Sequence, residues 1–119
     1  MSRYACFFAV FLFAVTFPAF AEKTVYSSTI DDLPLMAGMR EIAEDAVIFD
    51  EPGGRIVETT VVTSWPEEKV KAFYAETLPP LGWRSAGPAQ FRRDDEQLAI
   101  AFHATSGENL VSFSITPAR

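Results

Sequence analysis

Ser64-Trp65-Pro66-Glu67-Glu68-Lys69-Val70-Lys71-Ala72-Phe73-Tyr74-Ala75-Glu76-Thr77-Leu78-Pro79-Pro80-Leu81-Gly82-Trp83 decides the fold. Val70, Phe73, Tyr74, Thr77, Leu78 and Leu81 fall at i, i+3, i+4, i+7, i+8 and i+11. That is one apolar stripe of a 3.6-residue helix, with Glu67, Glu68, Lys71, Ala72, Ala75 and Glu76 on the opposite side. Ser64 with Glu67 three residues on makes a capping box, and Pro66 sits in a first turn that has no use for its missing N–H. The pattern predicts a helix from about Pro66 to Leu78, ended by Pro79-Pro80 and turned back at Gly82.

Everything around this helix reads as strand. Upstream, Ala46-Val47-Ile48-Phe49-Asp50 and Arg55 to Thr63 are β-rich runs flanking Glu51-Pro52-Gly53-Gly54, a hairpin whose glycines supply positive φ. Downstream, Trp83 to Ala86 and Gln90 to Arg93 are separated by Gly87-Pro88. Leu98, Ile100, Phe102 and Ala104 alternate with small or polar residues, as do Val111, Phe113 and Ile115 with Ser112, Ser114 and Thr116. Turns at Asp94-Asp95-Glu96 and Thr105 to Asn109 join these runs into a meander. The expected fold class is α+β: an antiparallel sheet in β-β-α-β-β-β order, covered on one face by a single long helix. Leu35, Met39, Ile42, Ala43 and Ala46 hint at a further short helix over about Met39 to Glu44. Residues 22–34 are polar and mixed, and are expected to be loosely ordered. No internal repeat or low-complexity tract interrupts the chain.

The first twenty-one residues give an address. Arg3 precedes an apolar run from Tyr4 to Phe17, then Pro18 and Ala19-Phe20-Ala21, with small residues at the −3 and −1 positions of a signal peptidase site. Residues 1–21 are therefore expected to be a cleaved signal peptide, leaving a periplasmic or secreted domain over 22–119. The alternative, a retained anchor, has eighteen residues from Tyr4 to Ala21 at the short end of a bilayer span, with Pro18 breaking its last turn. Cys6 follows only Ser2-Arg3-Tyr4-Ala5, with no apolar signal before it, and so does not fit a lipoprotein site. No stable membrane insertion is expected after cleavage.

Composition narrows the function classes. Removing 1–21 leaves 98 residues, enough for one compact domain. Ten basic against 16 acidic residues give a formal charge of −6, and loss of Arg3 with the leader makes it −7. An acidic protein gains no counterion release from phosphate backbones or anionic lipid, so nucleic acid is not an expected partner. The single cysteine, Cys6, leaves with the leader, which removes disulfides, thiolate nucleophiles and cysteine-ligated metal from the mature domain.

Phe49-Asp50-Glu51-Pro52-Gly53-Gly54-Arg55-Ile56-Val57-Glu58, Val70-Lys71-Ala72-Phe73-Tyr74, Leu78-Pro79-Pro80-Leu81-Gly82-Trp83 and Phe91-Arg92-Arg93 carry a resemblance. From about Leu33 to its end the chain resembles a group of small exported proteobacterial proteins of unknown function. The group has a signal peptide, a Phe-Tyr to Leu-Gly-Trp helix and a β-meander. The resemblance implies an extracytoplasmic address and a helix-and-meander domain, and transfers no catalytic residue.

Candidate sites are few. His103 is the sole imidazole, placed with Ala99 and Ala101 on the strand face opposite Leu98, Ile100 and Phe102, and no Ser, Cys or second His completes a triad with it. Asp94-Asp95-Glu96 lacks the alternating ligands and central glycine of a calcium loop, and Glu44, Asp45, Asp50 and Glu51 form a looser acidic set. Neither metal nor cofactor is expected. Arg84, Arg92 and Arg93 share one hairpin, but Arg92 and Arg93 point to opposite faces and read as edge-strand protection. Trp83 reads as a core plug and Trp65 as a staple at the helix start. Ala99, Ala101, His103, Ser112 and Ser114, with Thr116, give the far sheet face a small, polar surface that suits a partner as well as solvent. The expected role is a non-catalytic binding or accessory module facing an envelope or periplasmic protein. A small-ligand carrier, marked by an apolar cavity, and a carboxylate-dependent hydrolase, marked by paired acids across a cleft, are the alternatives.

Overall fold

A computed structural model describes residues 24–118, so the expected signal peptide, 1–21, lies outside the described residues. Nine strands and one helix follow in chain order: β1 (Val25–Tyr26), β2 (Pro34–Leu35), β3 (Arg40–Glu41), β4 (Val47–Glu51), β5 (Gly54–Thr63), α1 (Glu67–Thr77), β6 (Arg84–Gly87), β7 (Gln90–Arg93), β8 (Glu96–His103) and β9 (Asn109–Pro117). β1 and β2 pair with each other, and the other strands form one seven-stranded antiparallel sheet in the order β3-β5-β9-β8-β7-β6. β4 pairs with β5 on the same edge as β3, the two being separated by a single 3-10 turn over Ala43–Asp45.

The connectivity explains the role of α1. It leaves β5, crosses the sheet, and delivers the chain to β6 at the far edge; β7, β8 and β9 then meander back until β9 closes on β5. The β4–β5 hairpin forms where the Pro/Gly run places it, with Asp50 opposite Arg55 and Glu51 opposite Gly54. Gly54 has φ +141°, and a Cβ there would stand 3.0 Å from Pro117 Cγ, so the turn needs glycine for both conformation and space.

Coverage of the sheet departs from expectation. α1 has 11 residues, about 16 Å of helix, whereas six strand positions span about 24 Å. A single long helix covering one face is therefore replaced by a mostly antiparallel sheet with one short helix. The N-terminal segment takes part of the remaining area: Ile30 and Leu33, from the stretch whose composition suggests loose order, and Leu35 just after it are buried in the same core as Val57, Val61, Leu98, Val111, Phe113 and Ile115. The short helix expected over Met39 to Glu44 is also absent. Gly38 takes φ +83°, Arg40 and Glu41 pair with Val62 and Val61, and only the turn Ala43–Asp45 is helical.

Along α1 and its C-cap the buried stripe centres on Val70, Tyr74 and Leu78, with Phe73 half-buried beside them, edge-on to Tyr74 at 4.9 Å. Tyr74 also meets Phe113 edge-on at 5.1 Å and donates its hydroxyl to the Pro34 carbonyl at 2.7 Å. The Ser64 capping box does not form. Pro66 itself is the N-cap, at φ −72° and ψ 159°, and no side chain caps the helix. Trp65 instead donates its indole N–H to the Ala37 carbonyl at 2.8 Å, fastening the helix entry to the loop after β2.

Candidate functional site

The helix that is too short to cover the sheet leaves a groove along one flank. It lies between α1 and the β6–β8 part of the sheet, has a volume of about 230 Å³, and is floored by Phe91 and Ile100. Tyr74, Ala75 and Pro79 form its helical wall, and Ser85, Gly87 and Ala89 form the other. The groove exists because these positions are small. Ala75 faces outward from the helix, the β6–β7 pairing slips between Ser85 and Gly87, and the following turn holds Ala89 at φ 54°. A slipped register moves side chains that would otherwise stand in a regular pleat.

The chemistry of the lining is restrained. Its ionisable groups are Lys71 and Tyr74. Lys71 lies 3.0 Å from Glu67 one turn earlier, an i,i+4 pair in the favourable orientation. Burial pushes the Tyr74 phenol well above its ordinary range, and its proton is committed to Pro34. What the groove offers is apolar surface.

The far sheet face brings together the five residues singled out from the sequence. Ala99 stands opposite Ser114, Ala101 opposite Ser112 and His103 opposite Leu110, and β5 continues the same rungs with Glu58, Thr60 and Val62. Ala101 and His103 are exposed, whereas Ala99, Ser112, Ser114 and Thr116 are half-buried. The Thr60 and Ser112 hydroxyls approach to 3.4 Å. Beside this face β4 leaves Val47, Ile48 and Phe49 at 43, 68 and 55% exposure.

The charged sets resolve into separate jobs. Arg93 lies over the Trp83 ring at 4.2 Å, pairs with Asp32 at 2.5 Å and donates to the Leu81 carbonyl at 3.0 Å, so it ties the N-terminal segment to the helix exit. Asp94 and Asp95 form the β7–β8 turn, with Asp94 at φ 53°, while Glu96 receives a two-pronged bond from Arg55 at 2.7 and 3.2 Å. That bond raises the Arg55 pKa still further. Among the described residues no three His, Asp or Glu side chains gather where one cation would reach them.

An apolar cavity is the mark of the small-ligand carrier reading, but nothing in the sequence assigns its lining. The groove's walls, residues 75–79 and 85–89, meet only because α1 crosses to the distant edge of the sheet. The available signal was the run of small residues around Gly87 facing a helical alanine. No family model matches the chain, and no curated protein or solved structure matches it.

Proposed function

We propose that this protein is a non-catalytic binding module of the cell envelope, working in the periplasm or outside the cell, that takes a small apolar ligand in the groove beside α1. The observation that carries this reading is the groove itself, an apolar cleft set between packed elements. Its 230 Å³ lies below the roughly 300–1,000 Å³ of pockets for drug-sized molecules, which suits a single ring or short alkyl body. Binding is favoured over catalysis by the lining: Lys71 is paired, Tyr74 is committed, and no carboxylate among the described residues lines the cleft to serve as acid or base. The envelope address rests on the signal-peptide pattern of residues 1–21 and on the resemblance to small exported proteins. No described helix is long and apolar enough to cross a membrane.

The test is titration with 4-(dimethylamino)benzonitrile, a neutral single-ring dye whose emission shifts in apolar surroundings. Saturable binding is expected, weakened at least tenfold by Ala75→Phe, which fills the groove from an exposed helix position while the melting temperature holds. Equal binding by that variant would remove the groove from consideration.

A second reading is favoured by the small, flat far face: an accessory module that docks an envelope or periplasmic protein there. Ala101→Arg with Ser112→Arg would abolish capture of such a partner from envelope extracts and leave dye binding untouched.

A further inference from the structure

Arg84 and Arg92 stand directly opposite each other across the β6–β7 pair. Residues in that relation project to the same face with Cβ atoms about 5 Å apart, and like charges so placed oppose the pairing. Neither has a carboxylate partner among the described residues: the ion pairs there engage Arg40, Arg55, Lys71 and Arg93. Arg92 makes one bond, to the Ala118 carbonyl at 3.1 Å, which uses a single N–H of its fork. In a domain with a net negative charge, setting two cations face to face without an acid between them needs a reason. The surroundings supply one. The pair lines a cleft of about 650 Å³ with Gly82, Ser85, Ala86, Arg93 and Asp94, at the sheet edge where β6 has one open side. Arg93 is neutralised by Asp32, and Asp94 is the sole acid of the lining, so Arg84 and Arg92 set its local charge.

We propose that this cleft is an oxyanion site in which Arg84 and Arg92 clamp a carboxylate or phosphate between their guanidinium groups. Each planar fork matches two acceptor oxygens, and a bound anion turns the repulsion between the arginines into a pair of charge-assisted contacts. The site adjoins the apolar groove at Ser85, but its ligand contacts come from the two arginines, neither of which lines the groove.

The experiment is a ¹⁵N-resolved titration of the purified protein with sodium phosphate, sodium acetate and sodium chloride at matched ionic strength, following backbone signals of 84–86 and 92–94. Saturating shifts with phosphate or acetate, and none with chloride, are expected, and the relative affinities assign the preferred oxyanion. Arg84→Gln should weaken binding at least tenfold, and Arg84→Lys, which keeps the charge but loses the fork, by several-fold. Lys71→Gln, in the groove, should change nothing. Chloride shifts equal to those of the oxyanions, or wild-type affinity in folded Arg84→Gln, would overturn the clamp. Because Arg92 also bonds Ala118, Arg92→Gln is read only alongside its melting temperature, with Arg84→Gln as the deciding variant.

Discussion

Glu41 shows how much one side chain can hold. Its carboxylate accepts from the Ser27 hydroxyl at 2.7 Å, the Ser28 N–H at 2.7 Å, the Ser28 hydroxyl at 3.1 Å and the Thr59 hydroxyl at 2.9 Å. Burial works to raise its pKa, but the Ser28 N–H and the three hydroxyls favour the charged form and leave the pKa below the ordinary 4.5. The sign of the linkage follows. A carboxylate with a depressed folded pKa contributes stability that is fully present above the unfolded value near 4.5 and is lost as pH falls through the lower folded value. Glu41→Gln should therefore cost about 1–2 kcal/mol near pH 7, at the low end for charge-assisted bonds because the group is partly solvated. The gap between variant and wild type should shrink below about pH 4.5. Urea midpoints from pH 7 down to pH 3 read both effects, and a gap independent of pH would mean that the hydroxyls, not the charge, do the holding.

At the scale of elements, what was legible followed local signals. The β4–β5 hairpin is set by Glu51-Pro52-Gly53-Gly54, and the alternation of Val111, Phe113 and Ile115 is realised as the buried face of β9. The helix also lies where its stripe places it, although its start does not obey the capping motif. Ser64 with Glu67 has the spacing of a box, yet the chain enters through Pro66 as N-cap and is fixed by the Trp65 indole on Ala37. Tertiary contact replaced a local bond. Ser64→Ala should consequently change stability by less than about 0.5 kcal/mol, where a working cap would cost about 1. Gly54→Ala, by contrast, must meet both positive φ and Pro117 and should cost more than about 1 kcal/mol. Thermal melts of the two variants side by side decide whether the turn or the box governs the flanks of β5. β1, β2 and β3 have two residues each, too few for any period to show in the sequence. The groove leaves no local signal for a related reason: it is made by small side chains whose meeting depends on the path of α1.

For the molecule as a whole, the order of the sheet makes β9 the keystone, since the last strand sits between β5 and β8 and closes the meander against the hairpin. Such pairing is long-range in sequence, and no local propensity encodes it. The remaining exposed apolar face must be covered by something, and a helix of 11 residues is too short to do it. The N-terminal segment supplies Ile30, Leu33 and Leu35 to the core, Ser27 and Ser28 to Glu41, and Asp32 to Arg93. Three buried aliphatic side chains are worth roughly 5–9 kcal/mol together, against a total stability of about 5–15 kcal/mol for a typical domain. A chain beginning at Met36 should therefore lose its cooperative melt and its dispersed amide spectrum while keeping part of its strand signal in circular dichroism. Leu33→Ala, which leaves the backbone in place, should cost about 2–5 kcal/mol by lost transfer energy and cavity. If the shortened chain instead melts cooperatively near the wild-type temperature, the sheet and α1 hold the fold without the N-terminal segment, and the burial of Ile30, Leu33 and Leu35 is docking onto a finished core rather than part of making it.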